Sequence, residues 1–409
     1  MTEAGALAAV VGVEPGEFLL VVAAGAVAGT LATLLGSRGW LVPSVVLELV
    51  IGVLIGPEVL GLEPSEFVEF FANLGLGMLF FFAGYEIDLR RIAGAPLRLA
   101  ALGWALSLAL AYTVGGLLAL AGVVLSLLYT GSALATTAIG TLIPILSDSG
   151  QLRTRFGTFL LAAGAVGELG PILLLTLLLS TTNALHNTII LVAFVALAVI
   201  VAVAAVRSSH LTLPLFERTL HKSSQLAVRW IVVLVFALAL LAAELGLDLL
   251  LGGFAAGLIT RQVLKEHDVP GFEPKLTAVA FGLFIPFFFV VSGMGLDVAA
   301  LFDDAVGGIA ELLVFFVLFL VVRGVPALLL YRDLFDRRDR VALAFFVSTQ
   351  LPMVLAITTV AVETGHMHSS TAASLVCAAV LSTLVFPILG LRLRQSAPVA
   401  APEPAAVVP

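Results

Sequence analysis

The sequence predicts an all-α protein that crosses a membrane about thirteen times, and three observations support this fold class. Of its 409 residues, 61% are hydrophobic and 11% are charged, and the mean hydropathy is +1.16. Soluble proteins carry about 25% charged residues, so no soluble fold could bury this much apolar surface. The apolar residues also form long runs, and the basic residues recur between alternate runs. The formal charge of −7 matters less than this distribution.

The apolar runs have the length of membrane spans. A helix that crosses a bilayer needs about 20 mostly apolar residues. The segments that meet this requirement are 18–36, 41–60, 66–85, 97–121, 124–146, 156–180, 187–206, 225–245, 248–265, 274–296, 306–331, 339–363 and 370–393.

The basic residues predict the orientation of these spans. Lys and Arg concentrate on the cytoplasmic side of membrane proteins. All but one of the 20 basic residues follow odd-numbered spans, and none follows an even-numbered span. The pattern predicts a multi-pass protein of the cell (inner) membrane with its N-terminus outside and its C-terminus in the cytoplasm. We expect an extracellular N-terminal segment at 1–17, a transmembrane domain at 18–393 and a disordered Pro/Ala-rich tail at 394–409.

The chain also contains an internal repeat. Three pairs of motifs recur in the same order: GVLIG (52–56) with GFAAG (253–257), LFFFAGYEIDL (79–89) with PFFFVVSGMGLDV (286–298), and SALATTAIG (132–140) with VSTQLPMVL (347–355). The two copies start from spans of opposite direction. They therefore predict inverted-topology repeats at roughly 41–206 and 248–393, an arrangement that many secondary transporters use around a site at the membrane midplane.

Two predicted spans carry polar residues at their centres. The fifth contains Thr136 and Thr137, and its counterpart, the twelfth, contains Ser348, Thr349 and Gln350. Polar side chains in mid-membrane can satisfy the backbone groups that unwinding exposes. The pair therefore predicts two broken helices that meet at one depth. The alternative is two kinked but continuous helices, in which the hydroxyls bond back to the preceding turn.

Glu168, Arg323 and Glu48 are charged residues that lie deep inside predicted spans. Glu168 is the only ionisable residue between Phe156 and Ser180, where a carboxylate costs about 2.5–3.5 kcal/mol on insertion scales. Arg323 lies ~12 Å from the cytoplasmic end of its helix, so it either reaches the interface or pairs with a buried carboxylate. Three roles are open for Glu48: it lines an entrance, it carries a second proton, or it pairs with Arg323.

The ordered motifs resemble those of the cation:proton antiporter-2 family, which includes NapA-type sodium/proton antiporters and Kef-type potassium efflux proteins. The resemblance covers about residues 20–390. It rests on VPSVVLELVIGVLIGPEVLGL (42–62), LGLGMLFFFAGYEIDLRR (74–91), GSALATTAIGTLIPILSDSGQL (131–152), GTFLLAAGAVGELGPILL (157–174) and FIPFFFVVSGMGLDV (284–298). It implies a fold of thirteen helices like those of NhaA and NapA. A dimerisation panel and a mobile core with two crossing broken helices make up that fold.

The resemblance also implies the site. The ion-binding helix of the family carries two adjacent polar residues, of which Glu168 takes the second, essential place. Gly167 takes the first place, which departs from the family because a ligand is missing. Arg323 matches the basic residue that faces this pair. The family further implies a homodimer.

These residues predict exchange of Na⁺ or K⁺ for H⁺ at Glu168. Thr136, Thr137 and nearby carbonyls would supply the oxygen ligands that hard cations prefer. A single acid carries one proton against one cation, so we expect electroneutral exchange. We expect no cofactor, no resident metal, no enzymatic activity and no nucleic-acid partner. The partners are the transported ions and membrane lipid.

Two alternatives remain open at this point. One is a Kef-type potassium efflux system; the chain carries no nucleotide-binding domain, which leaves open a separate regulatory subunit. The other is a sodium-coupled symporter of organic solutes on a related fold, which Arg323 disfavours because such a protein needs no membrane arginine.

Overall fold

The computed structural model describes residues 15–38, 42–152, 154–178, 184–220, 222–247, 249–264, 271–303 and 305–395, and every regular element in these ranges is helical. In chain order the helices are α1 (Pro15–Ser37), α2 (Ser44–Ile55), α3 (Glu66–Tyr85), α4 (Leu89–Ile92), α5 (Ala95–Leu120), α6 (Leu127–Leu134), α7 (Ile139–Asp148), α8 (Arg155–Leu178), α9 (Ala184–Leu220), α10 (Leu226–Glu244), α11 (Leu249–Leu264), α12 (Phe272–Val279), α13 (Ile285–Met294), α14 (Ala300–Asp303), α15 (Ala305–Phe319), α16 (Val325–Leu330), α17 (Arg337–Val347), α18 (Pro352–Glu363) and α19 (Ser369–Gln395). Five-residue π-helical segments, Ala280–Phe284 and Leu320–Gly324, join α12 to α13 and α15 to α16.

The all-helical membrane fold is confirmed, whereas the number of spans stays a prediction. Within the described residues, ten helical stretches are long and apolar enough to cross a membrane. Three shorter apolar helices coincide with the second, fifth and ninth predicted spans. The predicted span ends at 206, where the apolar run ends, but helix α9 continues to Leu220.

The predicted terminal segments fall mostly outside the described residues. Residues 1–14 of the N-terminal segment and 396–409 of the tail are not described. Residues 15–17 belong to α1 and residues 394–395 belong to α19. The two predicted boundaries at 17 and 394 therefore lie inside helices.

The helices pack into two groups. The panel consists of α1–α3 and α10–α13, and the core consists of α5–α8 and α15–α19. Within the panel, α2 packs on α13 and α3 packs on α11; within the core, α5 packs on α8 and α15 packs on α19. Contacts between the two groups are sparser than contacts within them. The site described below lies in the core, at the broken helices.

The panel shows the internal repeat directly. Gly52 on α2 meets Gly293 on α13, and Gly257 on α11 meets Gly84 on α3. A Cβ atom on any of these four glycines would overlap backbone atoms of the facing helix, so each pair needs glycine. Small residues allow such close approach between membrane helices. Gly84 and Gly293 are equivalent in the two sequence repeats, and each packs closely against the helix that carries the GFAAG or the GVLIG motif.

Both helices with polar centres are broken rather than kinked. The first break separates α6 from α7 at residues 135–138, and the second separates α17 from α18 at residues 348–351. Pro352 occupies the first turn of α18, where its missing N–H costs nothing. The breaks bring free helix ends, with their partial charges, into the middle of the core.

Candidate functional site

Glu168 lies in the middle of α8 with its side chain 3% exposed. Its carboxyl group accepts a hydrogen bond from the backbone N–H of Ile139, the first residue of α7. The N-terminus of a helix carries a partial positive charge that favours a carboxylate. The Glu168 Oε2 atom is buried and has no hydrogen-bond partner among the described residues. One carboxyl oxygen is therefore free to bind an ion or a proton.

The two breaks cross beside Glu168 and are joined by backbone hydrogen bonds. The Ala138 N–H donates to the Thr349 carbonyl oxygen at 2.8 Å, which links the first break to the second. The Thr137 N–H donates to the Gly167 carbonyl oxygen at 3.1 Å, which links the first break to α8. These bonds satisfy groups that unwinding frees, and they hold the crossing next to the glutamate.

Gln350 connects the breaks through its side chain. Its Oε1 accepts from the Thr136 hydroxyl at 2.8 Å, and its Nε2 donates to the Leu134 carbonyl at 3.1 Å. Its backbone N–H and carbonyl bond to the hydroxyls of Ser382 and Thr383 on α19. The side chain thus satisfies a carbonyl at the C-terminus of α6. Gln350 stabilises the crossing itself.

Arg323 lies in the π-helical segment of the eleventh predicted span with its side chain 4% exposed. Its Nε and Nη2 atoms donate to the Thr137 hydroxyl at 2.9 and 2.7 Å. Nη2 also donates to the Ala163 carbonyl at 3.2 Å, and Nη1 donates to the Ser107 hydroxyl at 3.3 Å. The guanidinium therefore stays inside the core and does not extend to the interface.

The hypothesis that Arg323 pairs with a buried carboxylate does not hold in this conformation. Among the described residues, Arg323 forms no ion pair within 4.0 Å with Glu168, Glu48 or any other acid. The guanidinium is instead stabilised by hydrogen bonds to neutral oxygens, and the Thr137 hydroxyl lies between the arginine and the Gly167–Glu168 segment.

The two predicted threonine ligands differ in what they leave free. The Thr136 hydroxyl shares its single proton between the Gln350 Oε1 and the Ala133 carbonyl oxygen, so its lone pairs are available. The Thr137 hydroxyl accepts two bonds from Arg323 and donates to the Val347 carbonyl at 2.6 Å, so its lone pairs are used. In this conformation Thr136 suits a cation, and Thr137 acts as the acceptor for Arg323.

Gly167 has a steric role in this arrangement. A Cβ atom at this position would lie 2.5 Å from Arg323 Nη2 and 2.7 Å from Thr137 Oγ1. The volume that the family's first polar residue would need is therefore occupied by the arginine and the threonine. The absence of a side chain at Gly167 therefore leaves the space that Arg323 and Thr137 fill.

The remaining predicted residues have separate roles. The hydroxyls of Ser348 and Thr349 bond back to the carbonyls of Ala344 and Phe345 in the preceding turn. Glu48 on α2 is 4% exposed, and its buried Oε2 has no partner among the described residues. Glu48 is thus buried in the panel and is not an exposed entrance residue.

Two cavities lie between panel and core, on opposite sides of the crossing. One, of about 440 Å³, is lined by residues near the predicted outer ends of helices, including Asn73 on α3 and Thr358 on α18. The other, of about 350 Å³, lies towards the predicted cytoplasmic side and is lined by Val45, Gly140 and Thr383 among others. Glu168 lines neither cavity, so both water-accessible routes end short of the carboxyl group.

Sequence reasoning missed several groups that build this site. The Ile139 N–H that binds Glu168 is a backbone group, for which residue type gives no signal. Ser107 and the Ser382–Thr383 pair are hydroxyl residues near the middle of mostly apolar spans, a signal for polar partners inside the core. The Trp104 indole N–H, on α5, donates to the Ala135 carbonyl at 3.1 Å and so satisfies a backbone group of the first break.

The chain is similar to known ion exchangers over nearly its whole length. The family model described as the transmembrane sodium/hydrogen exchanger matches residues 20–391. The Na⁺/H⁺-K⁺ antiporter GerN of Bacillus cereus is 29% identical over 68% of this chain and 71% of GerN. A Na⁺/H⁺ antiporter of Enterococcus hirae is 26% identical over 65% of this chain and 71% of the relative.

A solved structure shows the same fold. The sodium/proton antiporter MjNhaP1 of Methanocaldococcus jannaschii superposes with a TM-score of 0.65, covering 92% of this chain and 98% of that one at 17% identity.

Proposed function

Because this chain belongs to the family of transmembrane sodium/hydrogen exchangers, we propose that it exchanges a monovalent cation, Na⁺ or K⁺, for protons across a membrane, with Glu168 as the residue that binds either ion. The observation that carries this assignment is the buried Glu168 Oε2, which has no hydrogen-bond partner among the described residues. An oxygen in that position is stabilised either by a proton or by a cation.

Competition for this oxygen couples the two ions. A cation at Glu168 would find a second oxygen ligand in Thr136 and further ones in the carbonyls of the first break. The Ile139 N–H stabilises the carboxylate that the cation needs. Proton and cation share the same atom, so they cannot bind together, and binding of one releases the other.

Movement of the core against the panel would carry the bound ion. The cavities on opposite sides of the crossing supply the two approaches, and the sparse contacts between the groups allow them to shift. If only a core with an occupied Glu168 moves, an empty core cannot leak and transport is obligatory exchange. Inverted repeats supply two equivalent end states for such a movement.

The exchange is one proton for one cation in this proposal. Gly167 provides no second carboxylate beside Glu168, and the guanidinium of Arg323 donates its hydrogen bonds to neutral oxygens. Each half-cycle then carries one positive charge. Glu48 is the residue to test first if a second proton is found, because it is buried with an unpartnered carboxyl oxygen.

We place the protein in the cell (inner) membrane with its N-terminus outside, on the distribution of basic residues. We also propose a homodimer formed through the first spans. Helix α1 carries the large exposed apolar side chains Leu19, Val27 and Leu34, which either lipid or a second copy of the chain would cover. Chemical cross-linking in native membranes would reveal the dimer.

Proteoliposomes containing a pH-sensitive dye test the proposal. We would add Na⁺ or K⁺ to wild type, to Glu168→Gln and to a control, Glu244→Gln, whose side chain is exposed near a helix end. We expect cation-dependent proton movement in wild type and in the control, and none in Glu168→Gln. Exchange that survives in Glu168→Gln would refute the site, and wild type inactive with both ions would refute the function.

A further inference from the structure

A second carboxyl group with a buried oxygen, that of the partly buried Glu86, lies on the predicted cytoplasmic side of Glu168. Glu86 follows directly after the last residue of α3, at the edge of the panel that faces the core. Its Oε2 atom is buried and has no hydrogen-bond partner among the described residues. Residues at the end of a span normally turn their carboxylates to water, so a buried and unpartnered oxygen here needs another explanation.

A small cavity connects Glu86 with the site. Its lining is formed by Glu86, Ile87, Asp88 and Ile92 from the segment that follows α3 and by Ile139 and Leu161 from the core. The volume is about 10 Å³, close to the minimum for one water molecule. Ile139 is the residue whose N–H binds Glu168, so the cavity extends from one buried carboxyl group to the immediate surroundings of the other.

Charged groups from three helices act on Glu86. Burial, and then the negative charges of Glu168 on α8 and Glu273 on α12, raise the pKa of Glu86 well above its usual value, and Arg261 on α11 opposes them. Asp88 shares the cavity but accepts hydrogen bonds from the N–H groups of the short helix α4. Arg261 lies over the ring of Tyr85, 5.5 Å from its centroid, next to Glu86 in the chain.

We propose that Glu86 is a proton relay between Glu168 and the aqueous phase on the predicted cytoplasmic side. When a cation replaces the proton of Glu168, the proton passes to a water molecule in the small cavity, that water gives a proton to Glu86, and Glu86 releases it to bulk water. One O–H bond breaks and one forms at each transfer. The inference rests on the proposed exchange at Glu168.

The position of Glu86 suits this task for an electrostatic reason. A carboxylate at Glu86 is disfavoured while Glu168 is negative and is easier to form once a cation neutralises Glu168. Cation binding at Glu168 therefore favours release of the proton from Glu86. Glu86 lies at the end of a panel helix and Ile139 lies in the core. The relay therefore exists only in the present position of the core relative to the panel.

Comparison of two transport modes tests the relay. Cation/proton exchange requires proton transfer, whereas exchange of a labelled cation for an unlabelled one does not. We expect Glu86→Gln to slow cation/proton exchange by about tenfold to a hundredfold, at or below the usual acid–base contribution because water can partly substitute. Labelled-cation exchange in the same proteoliposomes should stay at the wild-type rate. Either Na⁺ or K⁺ serves, whichever drives proton movement in wild type.

Two further variants complete the experiment. Glu244→Gln, which removes an exposed carboxyl group at the end of α10, should change neither mode. Glu86→Asp restores a carboxyl group and should recover part of the proton-coupled rate. Equal loss of both modes in Glu86→Gln would show a structural role and overturn the relay, as would no loss in either. If wild type exchanges labelled cation but moves no protons, the proposed function fails first and the relay fails with it.

Discussion

At the scale of single residues, Gly167 and Arg323 form one unit. Replacing Gly167 by Ala would place a methyl group 2.5 Å from Arg323 Nη2 and 2.9 Å from Thr137 Cβ. We expect Gly167→Ala to lower the free energy of unfolding by about 1–3 kcal/mol, the usual cost of overpacking. The guanidinium must also move, so exchange should slow. Thermal unfolding in detergent and the dye assay measure the two effects.

A second glycine provides the control. Gly116 on α5 has no atom within 4 Å of an added Cβ. Gly116→Ala should therefore be neutral or slightly stabilising, because Ala exceeds Gly in helix propensity by about 1 kcal/mol. If Gly167→Ala were as stable and as active as Gly116→Ala, the space at Gly167 would not be required by Arg323.

The raised pKa of Glu86 predicts a pH-dependent stability. As pH rises above the ordinary Glu value, the unfolded chain loses this proton while the folded chain keeps it, so stability falls. Glu86→Gln cannot lose a proton. We expect its melting temperature to exceed that of wild type at about pH 9 and to equal it at about pH 4, near the ordinary Glu value. A difference of the same size at both pH values would contradict a titration effect.

The sequence identified the residues that are costly to bury but not their partners. Glu168, Arg323 and Glu48 stand out because an ionisable group in an apolar run needs a reason. Their partners are backbone atoms and hydroxyls from distant helices, such as the Ile139 N–H and Ser107. Glu86 does not stand out in the sequence, because proximity to a span end says nothing about burial of one oxygen atom.

At the scale of elements, the crossing of the broken helices depends on Gln350. Replacing it by Leu keeps the approximate size but leaves the Leu134 carbonyl at the end of α6 without its donor. An unsatisfied buried polar group costs about 1–3 kcal/mol, and we expect Gln350→Leu to be destabilised by that amount. Thermal unfolding in detergent measures it.

The control for this variant is Thr358→Val on α18. The Thr358 hydroxyl is buried but bonds only to carbonyls of its own helix, those of Val354 and Leu355. Its loss leaves no group across the crossing unpaired, so we expect a smaller change. Equal effects in the two variants would mean that Gln350 contributes no more than an ordinary intrahelical hydroxyl.

The matched polar centres of the two repeats predicted both breaks, because polar side chains in mid-membrane can satisfy the backbone groups that a break exposes. The close packing of the glycines is a finding of the structure. Gly52, Gly84, Gly257 and Gly293 have no substitute where backbones touch. The extent of helices is harder to predict. Helix α9 runs beyond its apolar part to Leu220, since hydrophobicity reports the membrane boundary and not the end of a helix.

At the scale of the whole molecule, the proposed exchange at a single carboxyl group predicts the ion balance. If Glu168 alone carries the exchanged ions, each cycle moves one cation against one proton and no net charge. At the point of zero net flux, a tenfold cation gradient is then balanced by about one pH unit, because each factor of ten corresponds to ~1.4 kcal/mol for either ion. The membrane potential does not enter this balance.

Zero-flux titration in proteoliposomes measures this balance independently of turnover rates. A fixed cation gradient is set against a series of pH differences, with the membrane potential clamped at two values. We expect the same zero-flux pH difference at both potentials, about one unit per tenfold gradient. A difference of about half a unit at zero potential, which shifts with the potential, would require two protons per cation. Glu48→Gln would then return the balance to one unit if Glu48 carries the second proton, since its buried Oε2 has no partner among the described residues.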